Sequence, residues 1–333
     1  MPRRHHRFFS LFVVLLAVAP LMLLVSCHPP AASGNGLLPV RLQLDWYPQP
    51  EHGGFYAALE NGYYREEGLD VTILPLGAYG SGLQMVAAGR ADFGLGSSDQ
   101  ILEAVSNGLP LLAIGATMQH DPQALMVHTD SPVHSFADLD GHTVAVEPGA
   151  VWFRFLVQKY HLRNVREIPA TLSIASFLAD PAYIQQIFVT SEPYFVTHAG
   201  AGCRTLLISD AGYDPYRVFF TSRNFLARHP QAVAGFVRAS IRGWRTYLDN
   251  PAPTNALLQR LNPALNPDQM NFTVQALRQG GFITGSATDG SQIGFMRAAR
   301  WQQLADQLRQ LAVIPRSVDP ATAYTLQFVS QPH

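Results

Sequence analysis

Residues 44–56 read LDWYPQPEHGGFY, too polar and too rich in proline and glycine for a buried strand, yet dense in aromatic rings. Trp46, Tyr47, Phe55 and Tyr56 offer flat apolar faces, while Asp45 and His52 offer hydrogen-bonding groups. Pro48 and Pro50 fix φ and would hold these groups in one arrangement. The aromatic cluster at Trp46 and Tyr47 has a packing reading, but rigid aromatic and polar groups held together in one loop favour a functional role. Three further stretches carry groups of the same kind. GSSD (96–99) places Ser97 and Ser98 at the start of a helix. EPGAVWF (147–153) places Glu147 and Gly149 ahead of another, and TSEPYF (190–195) does the same with Glu192 and Tyr194. Each has a purely structural reading as well. Serines before a helix cap it, Trp152 on an amphipathic helix packs into a core, and Glu192 in a first turn favours the helix dipole.

The elements that must position these groups follow from hydrophobic periodicity. VRLQLDW alternates as a strand, GFYAALENGYYREEG reads as one helix, and LDVTILPL as the next strand. SGLQMVAAGRA, DFGLGS, SDQILEAVSNG and PLLAIGATM continue the alternation. It restarts after QHDPQ with ALMVHTD and runs through a capped turn at SFADLDG to RTLLISD and RVFFTS. This rhythm predicts mixed, mostly parallel sheets flanked by helices. From Ser222 onward three long helices are expected: NFLARHPQAVAGFVRASIRGWRTYLDN, DQMNFTVQALRQGG and GFMRAARWQQLADQLRQL. Two α/β units predict two lobes with a cleft between them. In open α/β sheets ligands sit outside the carboxyl ends of strands, and all four candidate stretches fall at such turns.

Length and composition set the class. The chain has 333 residues, 47% of them hydrophobic and 14% charged, with a net charge of −1. It is long enough for two cores and too apolar for disorder. With no basic run, nucleic-acid binding has no electrostatic footing. The N-terminus reads as an export signal: Arg3, Arg4 and Arg7 precede an apolar run from Phe8 to Val25 that ends in LVSC. This ending resembles the bacterial lipobox, which implies lipidation of Cys27 and a flexible tether after it. The tether and lipid would fix the protein to a membrane, facing the periplasm or the cell exterior. Cys203 then stands alone, so no intrachain disulfide is expected. His120, His128, His134 and His142 lack metal-ligand spacing and read as structural or exposed; no metal and no cofactor are expected.

LDWYPQPEHGGFYAALENGYYREEGLDVTI resembles the opening signature of the thiamine-pyrimidine and alkanesulfonate type of periplasmic binding proteins. Asp45, Trp46, Pro48, His52 and the run Gly54-Phe55-Tyr56 match its first part, and Glu67-Gly68-Leu69-Asp70-Val71 its last. VAAGRADFGLGSSD and FADLDGHTVAV are similar to its second and third signatures. The resemblance implies a two-lobed type II periplasmic-binding-protein fold with a ligand cleft. It implies a first lobe of residues 39–120 plus 218–320 and a second lobe of 121–217. A signal peptide (1–27), a tether (28–38) and a C-terminal tail (321–333) complete the expected organisation. It also implies a small-molecule ligand and work as a monomer with the permease and ATPase of an ABC importer. Carried over by position, Trp46 would stack on a flat heterocycle and Tyr194 would supply a second face. Pro48, Phe55, Tyr56 and Gly149 would shape the wall. Asp45, His52, Ser97, Ser98, Glu147 and Glu192 would fix orientation, most readily for a thiamine-related aminopyrimidine.

Two other readings belong to the same fold. An anion receptor for sulfonate or nitrate wants basic donors, and Asp45, Glu147 and Glu192 oppose it; a flavin receptor stays open, because stacking does not choose among rings. The family also includes a fungal enzyme that makes the thiamine pyrimidine from its own histidine and pyridoxal phosphate. That chemistry needs a Schiff-base lysine near His52. The only lysine here is Lys159, on a helix of the other unit, and the cysteine-rich iron-binding segment is missing. The expectation is a protein with no catalytic residues. Purified protein given pyridoxal phosphate and iron should form no pyrimidine by mass spectrometry; production would overturn this reading.

Overall fold

The computed structural model describes residues 36–76, 81–171, 173–287 and 289–329; the expected signal peptide, Cys27 and most of the tether lie outside them. Strands β1 (Leu38–Gln43), β2 (Leu69–Leu74), β3 (Phe93–Ser97) and β4 (Leu111–Met118) are followed by a second group. That group is β5 (Gln123–His128), β6 (Thr143–Val146), β7 (Arg166–Pro169), β8 (Ile184–Phe188) and β9 (Cys203–Leu207). The last strand, β10 (Arg217–Ser222), returns to the first group. Two five-stranded sheets result, in the orders β2-β1-β3-β10-β4 and β7-β6-β8-β5-β9. β10 runs antiparallel to β3 and β4, while β1 pairs in parallel with β2 and β3. β5 is antiparallel to β8 and β9, while β6 is parallel to β7 and β8. Each sheet is therefore mostly parallel with one reversed strand, the one the chain enters after crossing from the other sheet.

Two expected helices are broken, for local reasons. The run 54–68 forms Gly53–Glu60 and Tyr63–Glu66, because Gly62 between them adopts φ +75°. The run from Asn224 forms Arg223–Arg228 and Pro230–Asp249. Pro230 disfavours helical geometry in the residue before it, and His229 sits at φ −135°, ψ 53°. A helix at Ala252–Leu261 has no counterpart in the expected elements. Its prolines suggest a loop, but Pro251 precedes the first turn and Pro253 lies within it, where no intrahelical N–H bond is lost.

The first lobe is organised around aromatic packing. Phe55, Phe93, Phe219, Phe225, Phe236 and Trp244 form a chain of stacked and edge-to-face pairs between the sheet and the helix Pro230–Asp249. That helix lies directly on Gly53–Glu60, and glycine permits the approach. A Cβ at Gly243 would stand 2.1 Å from the Gly54 carbonyl oxygen, and one at Gly54 would stand 2.2 Å from the Trp244 ring.

The C-terminal segment closes the edge of the first sheet. Ala113 in β4 exchanges backbone bonds with Ala323 and Thr325, each 2.9 Å, and Ala116 N donates to Gly294 O. An exposed strand edge is thereby paired. The helix Ala298–Gln310 also holds the two crossing segments together. Arg300 donates to Gln119 O on the first crossing and to Asp214 O on the second, at 3.0 and 2.6 Å for the latter. Its guanidinium lies 3.9 Å over the Tyr216 ring. Asp214 in turn accepts from Asp121 N (3.0 Å) and bonds His120 Nδ1 (2.8 Å), so each crossing is tied to the other.

Gly243→Ala should force the two packed helices apart and lower unfolding free energy by about 1–3 kcal/mol. Urea unfolding measures this directly, and an unchanged midpoint would contradict the backbone contact at this position.

Candidate functional site

At the carboxyl end of β1 the chain leaves the sheet and turns through Asp45–Gln49 into a short 3-10 turn, Pro50–His52, that continues into the helix Gly53–Glu60. Pro48 and Pro50 are buried, and Asn262 Nδ2 donates to Pro48 O at 3.0 Å, which pins the loop to the C-terminal helices. His52 is 3% exposed and its Nε2 meets Asp45 Oδ1 at 2.9 Å. Because the carboxylate can only accept, Nε2 carries the proton. The other Asp45 oxygen accepts from the Arg217 guanidinium. Burial alone would raise the Asp45 pKa; the His52 hydrogen bond and the Arg217 charge outweigh it and hold the carboxyl far below the usual carboxylate range. Trp46 is partly exposed and packs edge-on to Tyr47, with ring centroids 5.5 Å apart. Tyr47 is 47% exposed. An aromatic face thus stands beside a saturated carboxylate at the strand end.

The strand-to-helix turn after β3 is built for structure. Ser97 N donates to Gln100 Oε1 (3.2 Å) and its hydroxyl donates to Asp99, an N-terminal cap of the helix Ser98–Ser106. Ser98 is fully buried, and both its backbone N–H and its hydroxyl oxygen bond Tyr216 across the sheet, at 2.8 and 2.9 Å. Its expected place at a ligand is corrected: the hydroxyl is occupied by the second crossing segment. Asp99 also accepts from Tyr213 OH at 2.6 Å.

In the second lobe, Glu147 and Gly149 are exposed in the turn before the helix Val151–Lys159, and Gly149 takes φ +80°, a conformation that favours glycine. Trp152 is 5% exposed in the core. After β8, Glu192 opens the helix Glu192–His198, and its carboxylate accepts from Phe188 N at 2.8 Å. Tyr194 is buried: its ring lies 3.9 Å from His198, and its hydroxyl donates to Asn266 Oδ1 at 3.1 Å. It offers no free stacking face, which corrects the expectation of a second one. Phe55 is likewise corrected, since it is wholly buried among Phe219, Phe236 and Trp244. Tyr56 is 3% exposed within the same core, and burial pushes its hydroxyl pKa up to about 12.

Groups outside the expected set complete the arrangement. Arg217 begins β10, bonds Asp45, stands 3.9 Å from Asp121, and lies 5.9 Å from the Phe188 ring of the second lobe. The lobes touch where Thr190 Oγ1 donates to Glu51 Oε1 (2.7 Å) and Thr273 Oγ1 donates to Thr190 O (2.8 Å). Burial raises the pKa of both Glu51 and Glu192, and the Glu192 charge adds to the effect on Glu51. Burial pushes Asp121 up to about 6, with Arg217 opposing and the charges of Asp99 and Asp214 adding to the rise. Signals for these groups exist in the sequence. Arg217 is a lone charge heading an apolar strand, and Asp121 marks the point where the strand–helix rhythm restarts. A separate groove of about 540 Å³, lined by Phe153, Arg154, Leu162 and Leu311 among others, lies between the helices Val151–Lys159 and Ala298–Gln310 and includes none of these residues.

A family model described as NMT1/THI5 like matches residues 49–254. Over 279 residues the chain is 28% identical to the formylaminopyrimidine-binding protein of Halalkalibacterium halodurans, covering 79% of this chain and 81% of that protein. Over 346 aligned positions it is 23% identical to the riboflavin-binding protein RibY of Chloroflexus aurantiacus, covering 96% and 98% of the two chains. It is also 23% identical over 311 residues to a 4-amino-5-hydroxymethyl-2-methylpyrimidine phosphate synthase of Legionella pneumophila, covering 87% and 92%. Among solved structures, the periplasmic aliphatic sulphonate binding protein SsuA of Escherichia coli superposes with a TM-score of 0.65 at 18% identity, covering 89% of this chain and 92% of that one.

The raised Asp121 sets a pH dependence. Its folded-state value of about 6 lies above the ordinary 3.8, so within that window the folded chain holds a proton that the unfolded chain has released. Stability therefore falls as pH rises from about 4 to 6, by on the order of 3 kcal/mol from this group. Asp45 acts in the opposite sense: its depressed value contributes stability above the unfolded value, and this is lost as pH falls. Asp121→Asn should shrink the loss between pH 4 and 6 when urea unfolding is followed across that range, leaving the part due to the raised Glu51 and Glu192. An identical pH profile in the variant would contradict a buried, under-compensated carboxyl here.

Proposed function

The chain belongs to the NMT1/THI5-like family, and on that premise we propose that it is the solute-binding component of an ABC importer, capturing a flat, amine-bearing heterocycle. A thiamine-related aminopyrimidine is the first choice of ligand. In this reading the protein is exported, anchored through a lipid on Cys27, and works as a monomer that delivers ligand to a permease driven by an ATPase. The observation that carries the reading is the partly exposed Trp46 ring set beside an excess of carboxylates. Asp45, Asp99 and Asp121 surround a single guanidinium, that of Arg217, which is the group whose pKa all of them raise. Such a field favours a neutral or cationic ring with N–H donors and repels a sulfonate or nitrate. The binding relatives support the same ligand class, since one is named for a formylaminopyrimidine and another for riboflavin.

Capture rather than synthesis is supported by the lysine. Lys159 Nζ donates to Ala211 O and lies 5.8 and 5.6 Å from the Phe155 and Tyr160 rings, committed to the second lobe. Micromolar affinity needs about 8 kcal/mol. A stack on Trp46, worth about 0.5–1.5 kcal/mol beyond area burial, joined to several polar contacts in a closing cleft, is of the right size.

A thermal-shift screen of the chain from about Ala31 tests the reading with an aminopyrimidine, its formylamino derivative, riboflavin, taurine and nitrate. Stabilisation by the heterocycles is expected, because a ligand of the native state alone must raise the melting temperature. A shift with taurine or nitrate and none with any ring would sink it. Trp46→Ala should weaken heterocycle binding about tenfold or more while unfolding as the parent does.

A further inference from the structure

We propose that Arg217 is the specificity-determining residue of this site, and that with Asp121 it selects rings carrying a hydrogen-bond acceptor and a donor on neighbouring positions. The proposal rests on the reading of the site as a heterocycle receptor and deepens it. Sequence reasoning assigns ligand orientation to Asp45, but both of its oxygens are taken, one by His52 and one by Arg217. Asp99 is taken as well, by Ser97, Gln100 N and Tyr213. Arg217 is different. Of the donors on its planar fork, Nη2 goes to Asp45, while among the described residues neither Nη1 nor Nε makes a hydrogen bond. The side chain is only 22% exposed. A partly buried guanidinium with donors uncommitted to protein groups can offer them to the acceptor of an incoming ligand.

The second half of the pair is Asp121. One of its oxygens accepts from Gln123 N, and the other stands 3.9 Å from Arg217 Nη1. That separation is too long for a direct hydrogen bond. It leaves a donor and an acceptor adjacent, a pairing complementary to the edge of an amino-azine or a cyclic amide: ring nitrogen or carbonyl to Arg217, N–H to Asp121. Phe188 of the second lobe lies 5.9 Å from the same guanidinium, so a flat apolar group stands beside this edge, and Trp46 is the neighbour in sequence of the paired Asp45.

Calorimetry with a matched probe pair tests the assignment. The probes are 4-amino-5-hydroxymethyl-2-methylpyrimidine and the aniline of the same substitution pattern, which keeps the amine and lacks the ring nitrogens. The parent protein should bind the pyrimidine at least about tenfold more tightly than the aniline, as expected for a hydrogen bond to a charged group. Arg217→Met should bring the ratio within about twofold. The ratio cancels any general loosening from the broken Asp45 pair, as a double-mutant cycle does. Arg217→Lys keeps the charge but not the fork and should fall between; it carries the comparison if Arg217→Met does not fold. If the parent binds neither probe, the heterocycle reading fails and this inference with it. If the parent prefers the pyrimidine and both variants keep the full preference, the reading stands and Arg217 is not the determinant.

Discussion

Arg217 and Asp45 meet where the first sheet ends, and most of the architecture serves to bring them there. A buried pair of this kind gains little net stability over apolar packing, but removing either partner leaves a charge uncompensated in a poorly solvated place. The arrangement requires a guanidinium at the carboxyl ends of parallel strands. A further parallel strand would deliver its last residue there, as β1, β3 and β4 do. β10 is antiparallel, so it delivers its first: Arg217 stands in register with Ser97, the end of β3, and Met118, the end of β4. The second sheet repeats the device, since Gln123 begins the reversed strand β5 opposite Phe188 at the end of β8. Both reversed strands start at the same interface, and each follows a crossing segment.

The crossings are tied to the C-terminal helices more closely than a simple two-lobed picture suggests. Arg300 reaches carbonyls on both, and a planar fork can do this where a single ammonium cannot. Asp214 extends the connection to His120 and to the backbone of Asp121, one step from Arg217. The helices after β10 therefore help determine how the lobes sit relative to the strand-end cluster. They do so without contributing the Trp46 face or the Arg217–Asp121 edge, and through Asn262 they also hold the loop that bears Trp46.

The electrostatics of the cluster are uneven by construction. Asp45 has its charge fully answered by His52 and Arg217, whereas Asp121 keeps only a distant share of the same guanidinium and is pushed toward neutrality. One arginine stands among several carboxylates, so the cluster disfavours an added full negative charge. In the proposed reading this favours an amine-bearing ring over an oxyanion, whereas SsuA, a protein of the same fold, is named for binding an aliphatic sulphonate.

The sequence by itself determined the strand–helix rhythm, the mostly parallel α/β class and the loop at Asp45–Gln49, because periodicity and the placement of proline and glycine are local properties. It also limited the chain to one lysine, Lys159, and the structure sets that side chain against Ala211, Phe155 and Tyr160. It misjudged what only long-range contacts settle. Phe55 and Tyr194 have the composition of ligand platforms, yet Phe55 packs against Phe219, Phe236 and Trp244, and Tyr194 against His198 and Asn266. Ser98 reads as an open hydroxyl and is spent on Tyr216, 118 positions away. Arg217 lies 172 residues from Asp45, and no spacing rule connects them. Strand order and direction made those residues neighbours. They come from pairing across the sheet, which a local pattern of side chains does not encode.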